Sequence, residues 1–253
     1  MRLLKLTSVV GAVLAVAAVS WAGPVIAPSF LGPSGALMTP NTEVNDLNTL
    51  DVGAHVMWIE PVAGDATLTV AKMNVCVLKD LEITPTYSAL EWDWPGPGSD
   101  SSDDFTVSAK YQIWQEPSDK LGLAIGAIDL AGQIYPNIPY YFVVSKTCNK
   151  IIPDRPLRWN WGAAFGTSDV FFVHESCDLR SHPGRREKDD SHFFTSMEAE
   201  VADWCALIAE VAEEDFNYGA RFVPVDNLRI DVGSVSLYGE SQFVVGAAYH
   251  IEF

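Results

Sequence analysis

The chain has 253 residues, of which 48% are hydrophobic, 11% aromatic and 19% charged. That is enough apolar material for a core, and it excludes wholesale disorder. Lys and Arg number 16 against 33 Asp and Glu, a formal charge of -17, so phosphate backbones are repelled and nucleic acid is excluded as a partner. With 18 Gly and 15 Pro, the composition points to an all-β chain.

Residues 1–22 read as a removed export signal. Arg2 and Lys5 form a basic start, Val9–Ala18 is apolar but for Gly11, and Ser20-Trp21-Ala22 offers small residues to a signal peptidase. The run is shorter than the roughly 20 apolar residues that a permanent helical span needs. Residues 23–49 carry Phe30, Leu31, Pro33, Gly35 and Pro40 and show no alternation. They are expected to form a periplasmic segment or to enter a lumen enclosed by the strands beyond them.

From residue 50 to 253 the pattern has period two. Strands are expected at about 50–59, 66–78, 81–90, 104–115, 119–129, 139–147, 157–166, 191–201, 204–213, 216–223, 227–237 and 242–253. In the fourth, Phe105, Val107, Ala109, Tyr111 and Ile113 alternate with Thr106, Ser108, Lys110 and Gln112. In the seventh, Leu157, Trp159, Trp161, Ala163 and Phe165 alternate with Arg158, Asn160 and Gly162. The last sets Phe243, Val245, Ala247, Tyr249, Ile251 and Phe253 against Val244, Gly246, Ala248, His250 and Glu252. Three stretches read less cleanly. Residues 66–78 change phase near Ala71, as a bulge or another register would make them do. Pro85 removes a ladder donor from the third strand. Trp204–Glu213 is apolar on both faces until Glu210.

Two architectures produce such alternation. A soluble secreted β-sandwich buries the apolar face and could bind carbohydrate with its aromatics. A transmembrane barrel gives the apolar face to lipid and the polar face to the lumen. Connection lengths favour the barrel: the even number of strands, twelve, puts short turns after even strands, at Lys79-Asp80, Glu116-Pro117-Ser118, Ala202-Asp203 and Pro224-Val225-Asp226. Longer, external loops then follow odd strands, at Glu91–Asp103 and Gly166–Asp190. Cys148–Pro156 breaks this rule, being long for a minimal turn. Trp58, Trp92, Trp94, Trp114, Trp159, Trp161 and Trp204, many near expected strand ends, fit interfacial girdles. The fold class is therefore a single antiparallel transmembrane barrel of about twelve strands, in the outer membrane of a Gram-negative-type bacterium. Its expected partners are outer-membrane lipids and the barrel-assembly machinery, to which Tyr249, Ile251 and Phe253 present a terminal signal.

Several short motifs sharpen this. Gly35-Ala36-Leu37-Met38-Thr39-Pro40 followed by Val52-Gly53-Ala54-His55, then Ala109-Lys110-Tyr111, Gly126–Gly132, Tyr141–Lys146, Ala209-Glu210-Val211 and Asp215–Phe222 together resemble YjbH-like outer-membrane barrels in order and spacing. The resemblance implies a twelve-stranded barrel and an association with exopolysaccharide production or export, with polysaccharide as a possible partner.

The alternation places Asp51, His55, Lys72, Glu82, Lys110, Arg158, Glu198, Glu200, Glu210, Arg221, Arg229, Asp231, His250 and Glu252 on the inward face. Two readings arise for a lumen of this width. The charges pair across it and fill it, since unpaired confined charges are costly. Alternatively Lys110, Arg158, Arg221 and Arg229 attract anionic solutes through a narrow pore.

No enzyme, catalytic residue, cofactor or metal is expected. No Ser–His spacing forms a nucleophile motif. His174, Glu175, Cys177, Asp178 and His182 fit no zinc pattern, crowded as they are by Arg180, Arg185, Arg186 and Lys188. The run Asp100–Asp104 lacks a full calcium-loop pattern. Of four cysteines, Cys177 is external, and Cys148–Cys205 is the expected pair if any bridge forms, with four free thiols as the alternative.

Overall fold

The computed structural model describes residues 27–30, 32–59, 65–93, 99–115, 121–132, 138–152, 155–166, 191–212, 215–237 and 240–253. Among them are twelve strands: β1 (Thr49–Ile59), β2 (Asp65–Leu78), β3 (Leu81–Asp93), β4 (Ser99–Trp114), β5 (Gly122–Ala127), β6 (Tyr140–Ile152), β7 (Arg155–Phe165), β8 (Ser191–Ala202), β9 (Cys205–Ala212), β10 (Asp215–Val225), β11 (Leu228–Leu237) and β12 (Glu240–Glu252). Each pairs antiparallel with its neighbours in sequence, and β1 closes on β12 from Thr49↔Glu252 to Trp58↔Phe243. Closure leaves no sheet edge, which is what a membrane demands of a β-structure. It also rules out the two-sheet sandwich.

Side chains alternate across this wall. In β12, Gln242, Val244, Gly246 and Ala248 are buried inside, while Phe243 and Tyr249 stand exposed on the outer surface. One rim carries the short turns at 79–80, 203–204 and 226–227, together with the connections from β4 to β5 and from β6 to β7. The opposite rim carries the connections at 60–64, 94–98, 128–139, 166–190, 213–214 and 238–239.

Four details differ from the sequence reading. Cys148–Pro156 is not a long turn: β6 runs to Ile152 and β7 starts at Arg155, with the slack taken up by a register shift between Cys148 and Ile152. The Glu91–Asp103 loop is mostly strand, since β3 runs to Asp93 and β4 starts at Ser99. No bulge lies at Ala71. The β1–β2 register is unbroken from Leu50↔Val75 to Ile59↔Ala66, and the irregularity sits between Cys76 and Leu78. The phase of β2 never changes. Its upper inward residues Ala66, Leu68 and Val70 are apolar, and its lower ones, Lys72 and Asn74, are polar. Cys148 and Cys205 are both free. They lie on β6 and β9, three inter-strand steps of about 4.8 Å apart, beyond the reach of a bridge. Cys177 lies outside the described residues.

Pro85 is accommodated as its chemistry requires. The β3–β4 register runs straight through it at Pro85↔Val107, while the β2–β3 ladder skips from Lys72↔Thr86 to Val75↔Ile83. The missing N–H falls in that gap.

Three inner-face glycines sit beneath large rings in register with them: Gly246 under His55, Gly126 under Tyr141 and Gly162 under Phe194. A Cβ on Gly162 would overlap the Phe194 ring. Gly162→Val is accordingly expected to destabilise the barrel by about 1–3 kcal/mol. A lower urea midpoint, and a smaller share of protein showing the shift between unboiled and boiled migration, would register it.

Candidate functional site

The interior of the barrel is occupied by the chain itself. The described residues of 27–45 are buried within it almost throughout, and side chains from β2, β3, β4, β6, β7, β9 and β10 bond to them. The segment first folds on itself: Gly35 N donates to Ala27 O (2.9 Å), Ser29 N to Pro33 O (2.9 Å), Phe30 N to Leu37 O (2.6 Å) and Ala36 N to Thr39 O (2.8 Å). Gly32 has φ of 118°, a conformation that L side chains rarely adopt. A Cβ at Gly35 would strike the Thr39 carbonyl.

The wall then grips this turn with charged groups. Glu82 of β3 accepts from Ser34 N (2.9 Å) and from the Ser34 hydroxyl. Glu210 of β9 accepts from Met38 N (2.8 Å), Thr39 N (3.2 Å) and Thr39 Oγ1 (3.0 Å), and is steadied by Asn217 Nδ2 (3.0 Å). Cations take the carbonyls. Lys110 Nζ donates to Ser34 O (2.8 Å), Lys72 to Ser29 O, and Arg221 Nη2 to Gly35 O (3.1 Å) and Ala36 O (3.2 Å). Asn74 Nδ2 reaches Gly32 O (2.8 Å), and Gln112 Nε2 reaches Thr42 O (2.7 Å).

Behind these lies a network among wall residues. Arg221, with no exposed surface, donates Nε to Asp231 Oδ1 at 2.8 Å and Nη1 to Glu198 Oε2 at 3.3 Å. His55 Nε2 lies 3.5 Å from Asp231, and the His55 ring meets Phe30 edge-on at 5.6 Å. Asn160 links Ser145, Ser196 and Glu198, and Ser145 Oγ in turn accepts from Thr42 N at 3.2 Å. Lys110 and Glu82 stand 3.7 Å apart. Buried charges of both signs thus surround the turn, each satisfied by another or by backbone, as burial requires.

The remaining inward residues lie nearer the turn rim. Arg158 forms a two-point pair with Glu43, with Glu200 half-buried on the next strand. His250 Nδ1 is 2.7 Å from Asp51 Oδ1. Arg229 is half-buried and donates to Asp226 O at 3.2 Å, while Glu252 is exposed. Tyr249, Ile251 and Phe253 face outward, Phe253 being 76% exposed. Among the described residues no group of His, Cys, Asp and Glu could hold a metal; the loop residues His174–His182 lie outside them.

Toward the loop rim the interior is apolar. Phe30, Leu37 and Met38 of the inner segment pack with Leu68, Val70, Phe194, Ile208, Val235 and Val244 of the wall. This layer went unseen in the sequence because polar-inward alternation holds only where a lumen is wet. Ile208 explains why β9 reads apolar on both faces: its inward half faces protein.

The outer surface is of the opposite character. Val52, Ile125, Leu207 and Val211 are exposed on it. Aromatics mark both rims: Trp58 stacks on Phe243 (5.7 Å) and Tyr140 on Phe165 (5.5 Å) at the loop rim, and Trp204 on Phe222 (6.2 Å) at the turn rim, where Trp114 is also exposed. Trp159 and Trp161 depart from the girdle expectation. They stack on each other at 5.2 Å in the middle of β7. Trp94 lies outside the described residues.

No protein-family model and no curated protein matches the chain. Among solved structures it is similar to the outer membrane protein Omp33 of Acinetobacter baumannii, at 7% identity over 81% of this chain and 98% of that one, TM-score 0.48. It is also similar to the COG4313 outer membrane channel of Pseudomonas putida F1, at 11% identity over 84% and 98%, TM-score 0.49. A third is the KdgM porin, at 8% identity over 79% and 98%, TM-score 0.44. The chain's own surface carries the assignment: a closed wall, apolar outside with aromatic rims, is one that lipid must cover. It is a transmembrane β-barrel of the outer-membrane type.

The buried guanidinium yields a test. Arg221→Ala removes the guanidinium partner of the buried carboxylates Asp231 and Glu198 and is expected to cost about 3–5 kcal/mol. The double change Arg221→Ala with Asp231→Ala should recover part of that in the urea midpoint, because one stranded charge is gone.

Proposed function

We propose that this barrel is an outer-membrane conduit held shut by its own residues 27–45, and that it serves exopolysaccharide production or export, as the YjbH resemblance implies. One observation carries the closed-conduit reading: Glu82, Glu210, Lys72, Lys110 and Arg221, charges that would line an open lumen, all hold this segment. An anion-selective pore through Lys110 and Arg221 is a poorer fit, since both already donate to its carbonyls.

The resemblance also acquires a physical content. Its motifs lie far apart in sequence, yet Glu210 and Arg221 from two of them meet Met38, Thr39 and Gly35 of the first, and Lys110 from a third meets Ser34 just before it. Residues shared with such a family would then be the contacts that keep the segment in place. That accounts for their order and spacing without an enzymatic role.

Planar-bilayer recording tests the reading. The intact protein is expected to pass little current, and deletion of residues 27–45 to produce stable, stepwise conductance from a barrel that still shifts on boiling. Unchanged conductance in a correctly closed deletion variant would remove the conduit. For the export role, vesicles containing the deletion variant should admit neutral oligosaccharides that the intact protein excludes; equal exclusion by both would sever the polysaccharide link.

A further inference from the structure

The contacts that close the barrel have a property that closure alone does not require: they read the main chain. Four amides (Ser34, Met38, Thr39, Thr42) and six carbonyls (Ser29, Gly32, Ser34, Gly35, Ala36, Thr42) of the inner segment bond to wall side chains. Donors and acceptors on the wall are set out as a peptide backbone needs them. Side-chain recognition adds the Ser34 and Thr39 hydroxyls, Glu43, and the apolar seat of Phe30, Leu37 and Met38.

The segment is also built as a separable body. Its internal hydrogen bonds, among them Asn41 N to Ser34 O at 3.1 Å, give it a shape of its own, which lowers the ordering cost of binding. Asp46, Leu47 and Asn48, which join it to β1, are exposed. Asn48 turns the chain there with φ of 66°.

We infer that the barrel interior is a peptide-binding site, that residues 27–45 are its resident ligand, and that this ligand can leave and be replaced by a peptide of the same kind supplied separately. The inference rests on the closed-conduit reading for its consequence, but not for its binding geometry.

The test uses the folded mature protein with a protease site placed across residues 46–48, nicked after purification. The freed segment is expected to remain seated through chromatography in mild detergent. It should then exchange with a fluorescently labelled synthetic peptide of residues 27–45, saturably and with loss of any conductance gained on release. Glu210→Gln, which keeps shape but not charge, should weaken the peptide at least about tenfold. A peptide carrying Gly35→Val should not bind, because its Cβ meets the Thr39 carbonyl and breaks the turn. Failure of the native peptide to enter an emptied, still-closed barrel would overturn the inference, as would equal binding of the Gly35→Val peptide. The two readings come apart cleanly. An emptied barrel that takes up peptide yet conducts nothing sinks the conduit and leaves the site. One that conducts and takes up no peptide does the reverse.

Discussion

A guanidinium with no exposed surface, in the middle of a barrel wrapped by lipid, is the constraint on which the rest of this structure depends. Arg221 cannot shed its charge, so every one of its donors needs an acceptor within the lumen. Asp231 and Glu198 supply two directions and the carbonyls of Gly35 and Ala36 supply a third. The carboxylates it draws in extend the demand: Asp231 lies beside His55, and Glu198 is bonded by Asn160. Without residues 27–45, the inward groups of β2, β3, β4, β9 and β10 would face only water or one another.

The same requirement sorts the interior into layers. Charges gather where the inner segment turns and its carbonyls and amides point outward at Gly32–Thr39. On the loop-rim side, the side chains of Phe30, Leu37 and Met38 present carbon instead, and the wall answers with Leu68, Val70, Phe194 and Val244. Two of the glycines placed beneath rings, Gly246 and Gly162, make room for His55 and Phe194 at these levels. The result is a protein core in the place where a wide porin holds water, with lipid facing an apolar exterior.

Much of the wall was legible in the sequence. The twelve strands fall at the expected places within a few residues, because alternation is enforced residue by residue along a pleat. Where the reading slipped, the cause was an assumption about the lumen. Leu68 and Val70 imitate a phase change only if inward positions are taken to be polar. The Cys148–Cys205 pairing used rim position alone and ignored that β7 and β8 stand between. Asn74, Gln112 and Ser145 share the phase of the charged set, yet nothing local marks them as contacts to a segment 42 to 103 residues away.

What the sequence determines by itself is the direction of each side chain, since a period of two is a property of one strand and its covalent geometry. It therefore specifies a wall with one face for lipid and a charged inner face. Whether that inner face is wet or filled, and which charge meets which, is decided by closure. Bringing β1 onto β12 encloses a segment that is merely an unpatterned stretch of Gly, Pro, Ser and Thr in the linear chain. Glu210 finds Met38 across 172 residues. An open pore and a sealed one would place these charges at the same phase along their strands, and only the packed lumen distinguishes them.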